Sequence, residues 1–149
     1  MADAPTIREP GTPAEWSAYY ALRWQVLRQP WKQSPGSERD EDDAEAWHRA
    51  AFDVAGTLVG CARLHRRADG QAQVRYMAVA ESGRGRGVGG MLLAELERVA
   101  GGQGFTSIVL EARTNAVGFY ARAGYHDDGP GHRLFGEIEH RVMKKTINH

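Results

Sequence analysis

Glycine and arginine are concentrated in one short stretch of the chain, residues 83–90, which reads GRGRGVGG. Glycines leave the backbone N–H groups of a turn unshielded by side chains. If a helix begins at this turn, its first N–H groups and the positive end of its dipole face the same ligand. Such a combination binds phosphate, and Arg84 and Arg86 place positive charge beside it. The stretch therefore predicts a phosphate-binding turn.

The turn is flanked by a predicted strand and a predicted helix. The apolar segment 74–80 precedes it and has the length of a strand. After the turn, Val88, Leu92, Leu96 and Val99 recur at the spacing of one helix face. We therefore expect a strand, a glycine turn and an amphipathic helix, in that order.

Two nucleotide-binding motifs can be compared with this stretch. The letters from Gly85 to Gly90 match the dinucleotide fingerprint G-x-G-x-x-G, and Glu111 lies about 20 residues further on, as that fingerprint requires. A dinucleotide-binding domain, however, needs several βα repeats after its first turn, and the chain after Gly90 is short for them. A P-loop is excluded because no G-K-[ST] follows the glycines. A nicotinamide nucleotide is therefore the weaker alternative.

A longer pattern takes in the strand and a second motif. Met77-Ala78-Val79 is followed, after a spacer, by Arg84, Gly87 and Gly89 in the arrangement [QR]-x-x-G-x-[GA], and residues 119–125 read FYARAGY, which fits F-Y-x-x-x-G-[FY]. With both motifs in this order, residues 5–145 resemble the GNAT superfamily of N-acetyltransferases. The last predicted strand, residues 135–145 with its histidine, also resembles the ElaA-like branch of that superfamily.

The resemblance implies acetyl-CoA as co-substrate, held at its pyrophosphate by backbone N–H groups of the turn. Family members often carry Asn seven residues before the helix tyrosine, where this chain has Arg113. Either Arg113 faces the CoA phosphates, or Asn115 takes over the role of that Asn. The residues implied in cofactor binding are Met77, Ala78, Val79, Arg84, Gly85, Arg86, Gly87, Val88, Gly89, Gly90, Arg113 and Asn115.

The implied reaction is direct attack of an amine on the acetyl thioester, with no acyl-enzyme and no metal. Tyr120 resembles the family's acid, and a phenol of pKa near 10 is roughly balanced against a thiol of pKa near 8.5. A strand N–H near Met77–Val79 would stabilise the thioester oxygen. His140 has a suitable pKa for the base, and Glu111, Glu38 and water remain open.

Composition limits the kinds of protein that this chain can be. The chain has 149 residues, so we expect a single domain over residues 1–149. Lys plus Arg and Asp plus Glu are equal at 19 each, which argues against nucleic acid or an anionic membrane as the main partner. No apolar stretch approaches the ~20 residues that span a bilayer. Cys61 is the one cysteine and lies in an apolar run, which favours a buried thiol and a reducing cytoplasm.

The whole pattern predicts an α/β fold. Thr12 is placed to cap a helix that begins at Pro13 and ends before Pro30. Residues 48–54, 57–65 and 71–80 form an antiparallel meander, and the last two strands are joined by a turn at residues 129–131. We expect a mixed, mostly antiparallel sheet of about six to seven strands with helices on both faces. The resemblance adds a splayed parallel strand pair that holds CoA.

The acceptor is the part of the reaction on which the sequence is least specific. Residues 38–43, ERDEDD, form an acidic run that is either a solvated loop or a wall beside a site for a basic amine. We expect a small-molecule or peptide amine, with an amino-acid-like molecule included. A homodimer is compatible with the resemblance. The alternative function is a non-catalytic acyl-CoA-binding module or sensor, which would bind CoA without releasing thiol.

Overall fold

A computed structural model describes residues 4–136 and 138–147 and shows a seven-stranded sheet flanked by helices. The strand order is β1-β2-β3-β4-β5-β7-β6, and only the β4–β5 pair is parallel. The predicted mixed, mostly antiparallel sheet is thus confirmed. The strands are β1 (Thr6–Arg8), β2 (Trp47–Phe52), β3 (Leu58–Arg66), β4 (Ala72–Val79), β5 (Ser107–Arg113), β6 (His126–Leu134) and β7 (Ile138–Thr146), and the helices are α1 (Pro13–Leu27), α2 (Val88–Gly102) and α3 (Val117–Arg122).

The helices cover both faces of the sheet, as predicted. On one face Tyr19 and Leu22 of α1 pack with Cys61 and other small side chains of the strands. On the other face Leu92 and Leu96 of α2 belong to a larger cluster that also contains Tyr120 of α3. Adjacent strand residues alternate between these clusters because successive side chains of a strand point to opposite faces. Cys61 is fully buried in the smaller cluster, as expected of a small hydrophobic residue.

Helix α1 begins and ends where its sequence signals lie. The Thr12 hydroxyl accepts the Glu15 N–H at 3.1 Å, and Pro13 occupies the first helical position. The Glu15 carboxylate accepts the N–H of Gly11 at 2.8 Å and pairs with Arg8 at 2.7 Å, so it ties the preceding strand to the helix. The helix ends at Leu27, before Pro30.

The predicted turn at residues 129–131 is wrong. These residues lie inside β6, and the chain reverses between β6 and β7, after Leu134. Strand β6 is the last strand of the sheet, and a proline is tolerated at an edge because its missing N–H would otherwise face solvent. The β6–β7 register shifts on both sides of Pro130, which indicates that the pairing bends around it.

The acidic run lies against arginines and does not form a free wall. Arg23 of α1 and Arg63 of β3 are fully buried, and the Asp43 carboxylate accepts from both, at 2.9 and 3.0 Å. Asp40 pairs with Arg63 and, at 3.1 Å, with Arg75 of β4. Burying two guanidinium charges without carboxylate partners would cost a large amount of folding free energy. The acidic run therefore neutralises the buried arginines beneath it. The hypothesis that this run attracts a basic amine is thus wrong for Asp40 and Asp43.

We expect Asp43→Asn to destabilise the fold by on the order of 3 kcal/mol, because it leaves buried guanidinium charge uncompensated. Burial acts to raise the pKa of Asp43, but hydrogen bonds from the Asp40 N–H, Arg23 and Arg63 outweigh it and the pKa is lowered. A carboxylate whose pKa is lowered in the folded state stabilises the fold at pH values above its unfolded-state pKa of about 4. This stabilisation is lost as the pH falls through the folded-state pKa. Denaturant unfolding at several pH values measures both effects.

The control for this prediction is Glu41→Gln, which removes an exposed carboxylate from the same run. Unfolding free energies of the two variants within about 0.5 kcal/mol of each other, the usual range for surface changes, would contradict the role given to Asp43.

Candidate active site

Strands β4 and β5 separate partway along their length. Their parallel pairing joins Ala72 to Ile108, Gln73 to Val109 and Val74 to Leu110, and no pairing follows it. Both strands nevertheless continue, β4 to Val79 and β5 to Arg113. The diverging ends leave a gap in the middle of the sheet, as the predicted splayed pair requires.

A bulge at Tyr76 accounts for the separation. Tyr76 has a φ of 58°, a left-handed conformation that bulky residues rarely adopt, and the β3–β4 register shifts opposite it. The bulge also reverses the alternation of side chains. Val74 packs in the cluster on the α2 face, whereas Ala78, an even number of residues later, packs in the cluster beside α1.

Charged neighbours hold the Tyr76 ring in place. Guanidinium carbons lie 4.3 to 5.5 Å from its centroid, and its hydroxyl donates to Asp40 at 3.3 Å. Cation–π contacts in a buried setting are worth about 2 kcal/mol each, similar to the roughly 1–3 kcal/mol that a strained backbone conformation costs, so several such contacts together can offset that cost. The arginines around the ring are Arg23, Arg28, Arg63 and Arg75.

Two clefts meet at the gap. The first, the glycine-turn cleft, runs from Val79 along residues 83–90 to Phe119. The second, the strand cleft, lies between the diverging parts of β4 and β5 and is closed by Arg28, His132 and His140. Met77, Ala116 and Tyr120 line both clefts, so a ligand that passes from one to the other must pass these side chains.

The glycine turn presents unpaired backbone donors to its cleft. Among the residues that the structure describes, the N–H groups from Gly85 to Gly90 have no hydrogen-bond acceptor, and the first paired one is that of Met91, on Gly87 O at 3.0 Å. Gly87 caps α2 with a φ of 76°, which favours glycine. Among the described residues, a β-carbon added at Gly85, Gly87 or Gly90 would meet nothing within 4 Å, so the space beside these positions is open.

Gly89 connects the two sequence motifs. A β-carbon there would come within 3.2 Å of the Phe119 ring, so the start of α2 and the start of α3 pack directly on each other. The spacing of the motifs along the chain does not predict this contact. Gly89, the last residue of the [QR]-x-x-G-x-[GA] pattern, therefore leaves the space that the ring of Phe119, the first residue of F-Y-x-x-x-G-[FY], occupies.

The remaining predicted residues of the first motif are spread around this cleft. Met77 and Val79 line it, and Arg84 lines it at an exposed position. The Ala78 side chain packs towards α1, so only its backbone is available to a ligand in the gap. Arg86 is exposed beside the turn, and Val88 is buried at the first position of α2.

Tyr120 lies at the junction with its hydroxyl near the bulged strand. It is 9% exposed, and the hydroxyl donates to the Met77 sulfur at 3.7 Å, a weak interaction that a stronger acceptor could replace. Burial raises the pKa of Tyr120 to about 12. Gly124, with a φ of 98°, ends the helix as predicted, and the following Tyr125 N–H bonds back to Tyr120 O at 3.0 Å.

His140 reaches the strand cleft from β7, where it is paired with Arg113 of β5. Its Nδ1 lies 3.0 Å from His132 O and 3.2 Å from Ile138 O, and two acceptors require that Nδ1 carry the hydrogen. The neutral ring then has its lone pair on Nε2. Burial lowers the pKa of His140, and the charges of His132 and Arg113 lower it further.

Glu111 is held by His132, a residue that the sequence does not single out. Glu111 Oε1 accepts the His132 N–H at 2.8 Å and lies 2.9 Å from His132 Nδ1. Burial acts to raise the pKa of Glu111, but these hydrogen bonds outweigh it and the pKa is lowered. His132 also stacks on His140 with ring centroids 4.2 Å apart. His132 was missed because it lies between the predicted turn at residues 129–131 and the last predicted strand, in neither element.

Three further candidates lie apart from the glycine turn. The Arg113 guanidinium donates to Leu27 O at 3.4 Å and lines the strand cleft, not the glycine-turn cleft. Asn115 is exposed and lines neither cleft. Glu38 is buried under the loop, where one oxygen accepts the Gly36 N–H at 2.9 Å, and it also lines neither cleft.

The described residues contain neither a metal-binding group nor a membrane-spanning helix. Over residues 4–136 and 138–147, no three His, Cys, Asp or Glu side chains are grouped so that they could ligate a metal ion. In the same ranges no helix has the length and apolar character needed to cross a membrane.

Comparison with known proteins identifies the family. The family model described as "Acetyltransferase (GNAT) family" matches residues 16–125. The uncharacterized N-acetyltransferase YjcF of Bacillus subtilis (strain 168) is 34% identical over 108 residues, which cover 72% of this chain and 76% of YjcF.

Two solved structures share the whole fold. A proposed N-acetyltransferase from Lactobacillus plantarum superposes with a TM-score of 0.82 at 26% identity, over 97% of this chain and 99% of that one. Escherichia coli ElaA superposes with a TM-score of 0.78 over 95% of this chain and 99% of its own, and at 20% identity this likeness is one of fold. The strand–turn–helix motif, the splayed strand pair and these similarities lead to one conclusion: the chain belongs to the GNAT family of acetyltransferases.

Proposed function

We propose that this enzyme transfers an acetyl group from acetyl-CoA directly to the amine of a small molecule or an amino-acid-like or peptide acceptor. The observation that carries the proposal is the meeting of the two clefts at Tyr120. A cofactor lying in the glycine-turn cleft and an acceptor lying in the strand cleft would meet beside its hydroxyl. Cys61 is a free, buried thiol, which supports a reducing cytoplasm as the compartment in which the enzyme acts, and a homodimer is compatible with this proposal.

The glycine turn fits the pyrophosphate of CoA. Its unpaired N–H groups open onto space that no side chain fills, and a helix N-terminus stands behind them. The exposed Arg84 and Arg86 add positive charge at the rim. Met77 to Val79 follow the bulge, so their backbone groups would pair with the pantetheine arm and stabilise charge on the thioester oxygen. Arg113 faces the other cleft and is assigned there to the acceptor.

His140 is our proposed general base. An amine must lose a proton to attack and form an amide. His140 lines the strand cleft, and because its Nδ1 is bonded to carbonyl oxygens, its Nε2 carries the lone pair that can accept this proton. Its lowered pKa keeps the ring neutral near pH 7, so the lone pair is available. Glu111 is already occupied by His132, and Glu38 does not line the cleft.

Tyr120 is our proposed acid for the departing thiolate. Its pKa of about 12 keeps the hydroxyl protonated at every working pH. That pKa differs more from an ordinary thiol pKa of about 8.5 than the pKa of a free phenol does. The same burial also disfavours a thiolate in this cleft and raises the thiol pKa, which reduces the difference. Tyr120 therefore first donates a hydrogen bond to the sulfur and transfers its proton as negative charge develops.

A panel of amines offered with acetyl-CoA tests the function, with release of free thiol as the measurement. Thiol release that depends on an added amine is the expected result. Binding of CoA by calorimetry with no release for any amine would favour the sensor alternative. Binding of NAD and none of CoA would favour the nicotinamide alternative.

We expect Gly90→Glu to weaken CoA binding by about 100-fold or more, because a carboxylate would stand among phosphate-binding N–H groups. Gly90 has open space around it and lies in the first turn of α2, where an acidic side chain favours the helix dipole. The fold should therefore keep its thermal midpoint. Calorimetry gives the affinity and circular dichroism the midpoint. Gly90→Gln is the matched control and should bind CoA much better than Gly90→Glu; equal affinities would contradict the assignment.

Tyr120→Phe should lower kcat by about 100-fold or more while CoA affinity changes little, since general acid catalysis is typically worth 10²–10⁴. Among the residues that the structure describes, the hydroxyl donates only to the Met77 sulfur, so its loss should cost little stability. The control is Tyr125→Phe, whose hydroxyl bonds Glu97 at 2.9 Å, away from both clefts. A Tyr120→Phe variant within a factor of a few of the wild type would mean that water protonates the thiolate.

The pH profile of kcat/KM tests His140. A base with a lowered pKa should give an acidic limb below the ordinary histidine value of about 6.5, with activity rising as the ring loses its proton. His140→Gln should remove this limb and reduce kcat/KM by about 100-fold. His126→Gln is the control, at an exposed position of β6. Persistence of the same limb in His140→Gln would assign the base elsewhere.

A further inference from the structure

The charge of the strand cleft is mostly positive and is not fully balanced. The acidic and basic side chains that line the cleft are three arginines, one glutamate and two histidines. Glu111 is taken up by His132, and Arg75 is paired with Asp40 at 3.1 Å. Arg28 and Arg113 remain, and within the described residues neither forms an ion pair with a carboxylate.

These two guanidiniums converge on one atom. Arg28 Nη1 donates to Leu27 O at 3.1 Å, and Arg113 Nη2 donates to the same oxygen at 3.4 Å. Leu27 is the last residue of α1, and the C-terminal end of a helix dipole amounts to about half a negative charge. That charge offsets only part of two cations. Each guanidinium keeps further N–H donors that the carbonyl does not use.

Burial makes this arrangement unusual. Arg28 is 5% exposed, and its other contacts are Ser37 O at 3.1 Å and the faces of Tyr76 and Phe135. Arg113 is partly buried. Buried arginines are almost always paired, because an unpaired charge loses its hydration without compensation. A pair of like charges on the wall of an open cleft is therefore expected to meet an anion that enters the cleft.

We infer that Arg28 and Arg113 bind a carboxylate of the substrate at the reaction centre. This inference rests on the proposed function for the identity of the cleft and adds the substrate class. Arginine forks match a carboxylate with paired hydrogen bonds, and Arg113 is the register partner of His140 on the neighbouring strand. A carboxylate held there would place an amine of the same molecule within reach of the base.

The carboxylate has two sources that the same site would recognise. It belongs either to the acceptor, which is then an amino acid or a related amino carboxylate, or to the acyl chain of a dicarboxylic acyl-CoA. The first test compares glycine, β-alanine and γ-aminobutyrate with their amides as acceptors for acetyl-CoA. The second compares succinyl-CoA with butyryl-CoA as donors to propylamine.

We expect at least one of these series to favour its carboxylate in kcat/KM by about 10-fold or more. Arg113→Gln and Arg28→Gln should reduce that preference to near one, and Arg113→Lys should restore part of it. Arg133→Gln is the control, because Arg133 is an exposed β6 residue that lies outside the cleft and pairs with Glu139. The basicity of each acceptor is the same for every protein variant. A change in carboxylate preference between variants therefore measures the contribution of the arginine.

Several outcomes would overturn the inference. A preference near one in both series, or a preference that Arg113→Gln leaves unchanged, would exclude a carboxylate site at this pair. A stronger preference for phosphoethanolamine than for any carboxylate would assign the site to phosphate instead. Arg113→Gln keeps the inference testable if Arg28→Gln does not fold, since Arg113 is the less buried of the two.

The failure of the proposed function is separable from the failure of this inference. If no combination of amine and acyl-CoA releases thiol, the enzyme assignment fails. Calorimetric titration of β-alanine and of its amide into the CoA-bound protein then tests the site directly. Tighter binding of β-alanine than of its amide, or of succinyl-CoA than of butyryl-CoA to the free protein, that is lost in Arg113→Gln would support the carboxylate site without turnover, and equal binding within both pairs would overturn it.

Discussion

The active-site geometry depends on the departure of β4 from β5, and that departure depends on the conformation of Tyr76. A φ of 58° is unfavourable for tyrosine, so the surrounding structure must hold it. It does so with guanidiniums on the ring and a carboxylate on the hydroxyl. Without the bulge, β4 would continue alongside β5, the parallel ladder would close, and the two clefts would have no connection through the sheet.

The ionic cluster that surrounds Tyr76 therefore links stability to function. Asp40 and Asp43 come from the loop after α1, Arg23 from α1 itself, and Arg63 from β3. The loop contributes two carboxylates, and α1 and β3 contribute one guanidinium each, to a group that is complete only when all are present. Removal of one member leaves an unpaired buried charge, so the group is expected to form or to break as a unit. The same group that stabilises the fold thereby sets the shape of β4 at the point where the clefts meet.

The sequence predicted the local elements and the glycine turn because their signals are local. Thr12 and Pro13 start α1, Gly124 ends α3, and the glycines at residues 83–90 lie between a strand and a helix, all of which short-range patterns indicate. The acidic run could not be assigned correctly, since its arginine partners lie on three other elements. The bulge at Tyr76 and the approach of His132 to Glu111 have no local signal either, because both depend on contacts between distant segments.

The charges in the strand cleft affect the protonation of both the proposed base and the amine acceptor. An amine substrate must be neutral to attack, and the charges of Arg28 and Arg113 disfavour a second cation nearby, so they favour the neutral amine. Burial lowers the pKa of His140, the charges of His132 and Arg113 lower it further, and Nε2 therefore stays free to accept a proton. Once that proton has moved to His140, the ring carries positive charge beside the arginines. A bound carboxylate would offset this charge, so an anionic substrate would stabilise the state in which the base is protonated.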